Sequence, residues 1–267
     1  MAPTTETGSI SPSRYALLKV IAYKQVLLLI RYPVNTLSQF LTLFIFFSVV
    51  FFGGRAVAGP ALTETLDGII VGFFIFTLSI VSYSGLAWNV TREAQWGTLE
   101  RLFMSPHGFG QVMGMKAVVN IAMSLVWGSA LLLAMMALTG RWLVVDPLTV
   151  VPLAVMTLLS VLGIGFVFAG LALLYKRIEN LFQLVQFAFI GLIAAPVGTY
   201  DWLRLLPVSH GSYLTMQAME DGVRLWEFPA VELGLLTITA VVYLTAGYYV
   251  FHRSQRRARV NGLMGKY

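Results

Sequence analysis

TREAQWGTLERLFMSPHGFG, residues 91–110, is the one charged segment of any length between two long apolar runs, and its reading decides the fold. Projected at about 100° per residue, Trp96, Leu99 and Phe103 fall within about 60° of one another, while Glu93, Gly97, Glu100 and Arg101 fill a neighbouring arc of about 100°. Such a segment is an amphipathic helix and not a membrane span. Arg92 projects onto the apolar side, in the first turn, where a long side chain can snorkel. Ser105-Pro106 and Gly108 end the helix, because a residue before proline is pushed out of the helical region. The spacing predicts one helix over 91–106.

Outward from it, the chain of 267 residues is 58% hydrophobic and only 11% charged, far from the roughly 25% charge usual in soluble domains. It is a membrane protein. Stretches free of Asp, Glu, Lys and Arg that reach about 20 residues, the length that crosses about 30 Å of hydrocarbon as helix, number six. They run Tyr32–Gly54, Gly68–Thr91, Ala117–Gly140, Pro147–Tyr175, Asn180–Tyr200 and Leu233–His252. Continuous runs rich in Leu, Ala, Met and Phe favour helices over the alternating strands of a barrel. The fold class is all-α, with a six-span transmembrane domain over 32–252.

Six spans place both termini on one side. That side carries fourteen of the eighteen basic residues and four of the twelve acidic ones, so the two sides have formal charges of +10 and −4. The positive-inside rule then makes both termini and the 91–106 helix cytoplasmic, in a multi-pass protein of the cytoplasmic membrane. Anionic lipid accounts for the basic balance, and no nucleic-acid partner is needed.

Residues 1–31 divide into a polar tail, which does not read as a signal peptide, and a mostly apolar stretch from Arg14 carrying Lys19, Lys24 and Arg31. That stretch predicts a helix lying in the interface with snorkelling basic tips. Tyr32-Pro33 suits a break before the first span. Gly163, Gly165 and Gly170 allow close helix approach in the fourth span. Gln39, Ser82, Tyr83, Gln183 and Gln186 are polar positions within spans that either line a pathway or hydrogen-bond a neighbouring helix. Between Pro196 and Glu232, the outer segment 196–232 mixes Trp202, Leu205, Tyr213 and Trp226 with scattered charge, and predicts short helical pieces at the membrane surface. Residues 253–267 form a basic cytoplasmic tail.

Several chemistries are excluded. No Gly-x-x-x-x-Gly-Lys-Ser/Thr phosphate loop occurs; GQVMGMKA at 110–117 has the wrong glycine spacing and ends on Ala117. His107, His210 and His252 are far apart and expected at solvated positions, and there is no cysteine, so a metal site is not expected. Neither Gly-x-Ser-Gly nor Gly-x-Gly-Asp is present, which argues against an intramembrane protease and leaves no catalytic residue to name. Six spans exist without an Asp, Glu, Lys or Arg, which argues against ion-driven carriers.

EAQWGTLERLFMSP, the order of elements around it, the lysine in GMKAVV and the Pro-punctuated outer segment together resemble ABC type 2 exporter permeases. The resemblance covers nearly the whole chain and is most specific at Glu93, Gly97-Thr98-Leu99-Glu100 and Ser105-Pro106. It implies the non-enzymatic membrane subunit of an ATP-driven exporter, with two copies of a separate ABC ATPase that bind ATP and magnesium, and no cofactor on this chain. It also implies a homodimer and a coupling helix docked on the ATPase through Glu93, Trp96, Gly97, Thr98, Leu99, Glu100, Arg101, Ser105 and Pro106. An uncharged lining suits a hydrophobic or amphipathic cargo such as a drug or lipid. A permease for lipid-linked glycan or polysaccharide, and a channel without an ATPase, are the alternatives.

Overall fold

A computed structural model describes residues 14–58, 65–95, 99–106, 108–175 and 178–260. Every regular element among them is helical: α1 Arg14–Arg31, α2 Pro33–Ala58, α3 Thr65–Gln95, α4 Leu99–Phe103, α5 Phe109–Thr139, α6 Pro147–Leu174, α7 Glu179–Ile193, α8 Ser209–Glu220 and α9 Ala230–Val260. Short 3-10 turns at Asp201–Leu205 and Leu225–Glu227 flank α8.

Among the described residues, five helices are long and apolar enough to span a membrane: α2, α3, α5, α6 and α9. The fifth apolar run, Asn180–Tyr200, behaves differently. α7 has 15 residues, about 22 Å of helix against roughly 30 Å of hydrocarbon. It stops at Ala194, because Pro196 brings a run of turns in which Val197 N–H donates to Ala195 O (2.8 Å) and Thr199 N–H to Pro196 O (3.0 Å). The predicted stretch Asn180–Tyr200 is therefore a short helix followed by turns. α6 keeps to its predicted stretch, whereas others outrun theirs, α3 by reaching Gln95, α5 by starting at Phe109 and α9 by reaching Val260, since charged residues near helix ends stay helical.

The break expected at Tyr32-Pro33 is a repaired kink. Tyr32 N–H still donates to Leu28 O and Thr36 N–H to Tyr32 O, both at 3.0 Å. Pro33 has no N–H for Leu29 O, and the Thr36 hydroxyl fills that place at 3.2 Å. α1 buries none of its residues, and α2 meets α3 through the rings of Phe46 and Phe47. The Phe47 ring meets Phe73 edge-on at 5.4 Å.

Chain order makes α3, α6 and α9 run one way and α2, α5 and α7 the other. The bundle has an α4 end and an α8 end. α3 and α6 are its centre, with Tyr83, Leu86, Val161 and Ala169 all fully enclosed. Asp146 starts α6, its carboxylate accepting from Leu148 N–H and from the Thr149 hydroxyl (2.6 Å), with Pro147 in the first turn. Gly140, at φ 70°, closes α5, donating its N–H to Met136 O at 3.0 Å.

Between α6 and α9, backbone meets backbone. A Cβ on Gly163 would lie 2.1 Å from Tyr243 O, and one on Gly247 would lie 2.0 Å from Gly163 O. Gly170, one heptad on, faces Phe251 Cα and the Ser254 side chain at 3.1 and 3.0 Å. The glycines thus let two backbones touch, as expected for two of the three. Gly165 instead faces α3, 3.5 Å from Tyr83 O.

Candidate functional site

At the α4 end, two parts of the helix predicted over 91–106 are described. Thr91 to Gln95 belong to α3, where the buried Thr91 hydroxyl donates to Ala87 O (3.2 Å), and α4 spans only Leu99–Phe103. Trp96, Gly97 and Thr98 lie outside the described residues, as do His107 and the side chains of Glu100 and Arg101. Ser105 N–H donates to Leu102 O and Gly108 N–H to Ser105 O, so a turn at Ser105-Pro106 ends the segment as the sequence indicates.

Glu93 does not face outward. Its carboxylate lies 3.5 Å from Lys116 Nζ on α5, with side-chain exposures of 13% and 10%. Two charges so enclosed are tolerated because they neutralise one another. The lysine just before the third apolar run was the sequence signal for this pair.

α4 is fixed to the bundle through its apolar side. Leu99 is buried, and the Phe103 ring stacks on Phe109 at 4.2 Å. Phe109 in turn stacks on Phe251 at 5.6 Å, and Phe251 meets Phe166 at 5.5 Å. The Arg259 guanidinium sits 5.0 Å above the Phe103 ring. One aromatic chain therefore ties α4 to α5, α9 and α6.

The five polar span positions are dispersed. Gln39 and Gln183 are exposed on α2 and α7, Gln186 is half-buried, and Ser82 and Tyr83 are fully buried. The Tyr83 ring is held edge-on by Phe168, Phe182 and Phe189 at 5.6–6.0 Å. None of the five lines the apolar cavity bounded by α3 and α8.

That cavity, of about 500 Å³, lies toward the α8 end between α2, α3, α7 and α8. Phe46, Gly72, Phe73, Ile193, Pro196 and Met216 form most of its wall. Phe46 meets Phe73 edge-on at 5.3 Å, and Gly72 leaves room against Ile193. Its volume and apolar character are those of a small-molecule site.

The α8 end is closed by a charge cluster. Arg204 bonds Glu232 at 2.7 Å and Asp201 at 3.2 Å. His210, 1% exposed, places Nε2 3.0 Å from Glu232 O and 3.3 Å from its carboxylate. The expectation of a solvated His210 is thus corrected: α8 seats it beneath α9, while His252 is exposed. Across the same end, Arg141 bonds Asp67 at 2.8 Å. As predicted, segment 196–232 forms short helical pieces, leaving Trp202 and Trp226 exposed while Leu203 and Leu214 turn inward.

Burial pushes the His210 imidazole below its ordinary value, with Arg204 acting in the same direction and Glu232 opposing. The unfolded chain then binds more protons near pH 6, so stability is complete above about 6.5 and falls as pH drops through that value. Glu220 works the other way, since burial and then Asp67 and Asp221 raise its carboxyl. Between pH 7.5 and 5.5 the melting temperature of the wild type is expected to fall more than that of His210→Gln. Parallel curves for the two would disprove it.

Residues 59–249 match a family described as ABC-2 family transporter protein. No curated protein matches the chain.

Proposed function

Because the chain belongs to the ABC-2 transporter family, whose permeases imply an ABC ATPase partner, we propose that it is the membrane subunit of an ATP-driven exporter for a hydrophobic or amphipathic molecule. Two copies form the pathway, and two ATPase subunits dock at the α4 end, which is cytoplasmic by its basic charge. The absence of any phosphate-loop motif in the sequence supports assigning ATP and magnesium to the partner.

The observation that carries the cargo class is the apolar cavity between α2, α3, α7 and α8. A strongly charged cargo would lose its hydration there without gaining partners. Glu93 acts in this reading through Lys116, stiffening the α3–α5 corner above the dock, while Glu100 and Arg101 meet the ATPase. Motion reaches the bundle through Phe103 and Phe109. α1 lies at the cytoplasmic interface, its kinked junction with α2 keeping the first span attached to it.

The test is co-purification with an ABC ATPase from the same genome, followed by ATPase assays in lipid nanodiscs. Complex formation is expected, with turnover falling about ten-fold or more in Glu100→Arg if a docked charge contact is lost. A chain that purifies alone, or a complex indifferent to Glu100→Arg and Glu100→Ala, would favour a channel or a different dock.

A further inference from the structure

A second concavity, of about 520 Å³, lies between α5, α6 and α9 toward the α4 end, apart from the cargo cavity. Its walls include Gly114 and Val118 of α5, Leu162 and Phe166 of α6, and Tyr248 and His252 of α9. Tyr248 is locked in place: a Cβ on Gly110 would sit 2.8 Å from its hydroxyl, and its ring stands edge-on to Phe166 at 5.4 Å. A Cβ on Gly114 would meet nothing within 4 Å, so the α5 wall is open there. The furrow is an apolar slot on the outside of membrane-spanning helices, with Val118 and Tyr249 exposed beside it.

One end of this slot is charged. Arg253 holds its guanidinium 5.7 Å above the Tyr249 ring, and Arg256 follows His252 by four residues on the same stripe of α9. Helical side chains lean toward the N-terminus of their helix, which for these two is toward the furrow. Glu93, the acidic side chain described at this end, is turned to Lys116. An apolar slot that ends in two exposed cations complements a molecule with a long hydrocarbon chain and an anionic head.

We propose that this furrow holds an acyl chain of an anionic phospholipid, with Arg253 and Arg256 at its phosphate. The site belongs to the membrane-facing side of the bundle and does not depend on the cargo reading. Arg253 is pre-oriented by the Tyr249 ring, so less freedom is lost on binding than for a free arginine.

The test is native mass spectrometry of the full chain with equimolar phosphatidylglycerol and phosphatidylcholine of matched chains. Wild type is expected to retain phosphatidylglycerol about ten-fold over phosphatidylcholine, as two arginines beside a headgroup of net negative charge warrant. Arg253→Gln with Arg256→Gln should remove that preference, whereas Arg257→Gln with Arg259→Gln should keep it. Gly114→Leu, which grows into open space, should cut retention of both lipids, and glycerophosphate without acyl chains should not compete. Equal retention of both lipids by wild type, a preference that survives the first pair or vanishes equally with the second, or indifference to Gly114→Leu would overturn the site.

Discussion

Gly163→Ala is expected to destabilise the protein by about 3 kcal/mol or more, the upper range for overpacking, because its methyl would lie 2.1 Å from a backbone oxygen of α9. No rotamer change relieves this contact. The whole of α9 would have to retreat, together with Phe251 and the aromatic chain that ends on α4. Gly247→Ala meets the Gly163 backbone from the other side at 2.0 Å and should match it, while combining the two should cost less than their sum, since one separation of the helices serves both. Gly165→Ala is the control. Its Cβ would make ordinary contact at 3.5 Å, and alanine is the better helix former by about 1 kcal/mol, so it should be neutral or stabilising. Thermal unfolding in detergent checks the set, and equal losses at Gly163 and Gly165 would mean that the α6–α9 approach is not the constraint.

Glu93→Ala is expected to lose about 3–5 kcal/mol, the range for stripping one member from an enclosed ion pair, because it leaves the Lys116 ammonium between two apolar helices. Lys116→Met alone should cost similarly by stranding the carboxylate. The double variant Glu93→Leu with Lys116→Met replaces the pair by apolar bulk and should recover most of the loss. A double-mutant cycle on unfolding measures this coupling, and strictly additive losses would show that the two charges do not depend on one another. The same variants separate stability from transmission. If the pair serves only to hold α3 against α5, the double variant regains coupled ATP hydrolysis along with stability. If the charge itself is read by the ATPase, hydrolysis stays low in a stable protein.

Much of this architecture was legible in runs without charge. The first four and the last of those runs became long helices, since a bilayer-length apolar stretch can satisfy its backbone only as helix. The same criterion failed where charge was not the deciding property. Asn180–Tyr200 is free of charge, yet Pro196 ends the helical hydrogen bonding before bilayer length is reached. At the other extreme, α3 continues through Arg92 and Glu93, because Lys116 offsets the carboxylate and lets the helix run on. Periodicity placed Leu99 and Phe103 on one face, correctly, but could not tell that this face turns to Phe109 of the same chain. The charge cluster of Arg204, His210 and Glu232 was beyond reach for a different reason. Its members are separated along the chain and meet only because α8 folds back beneath α9, which no local pattern encodes.

The backbone contact between Gly163 and Gly247 also sets an order in time. A ribosome adds about 5–20 residues per second, so α6 exists for on the order of ten seconds before the partner for its glycine notch is synthesised. During that interval the notch is an open seat that lipid or another nascent helix can occupy. This joint is consequently among the last to close, and errors of biogenesis are expected to concentrate there. Slowing translation after α8 would prolong that vulnerable state, whereas a membrane chaperone that shields α6 until α9 arrives would shorten it.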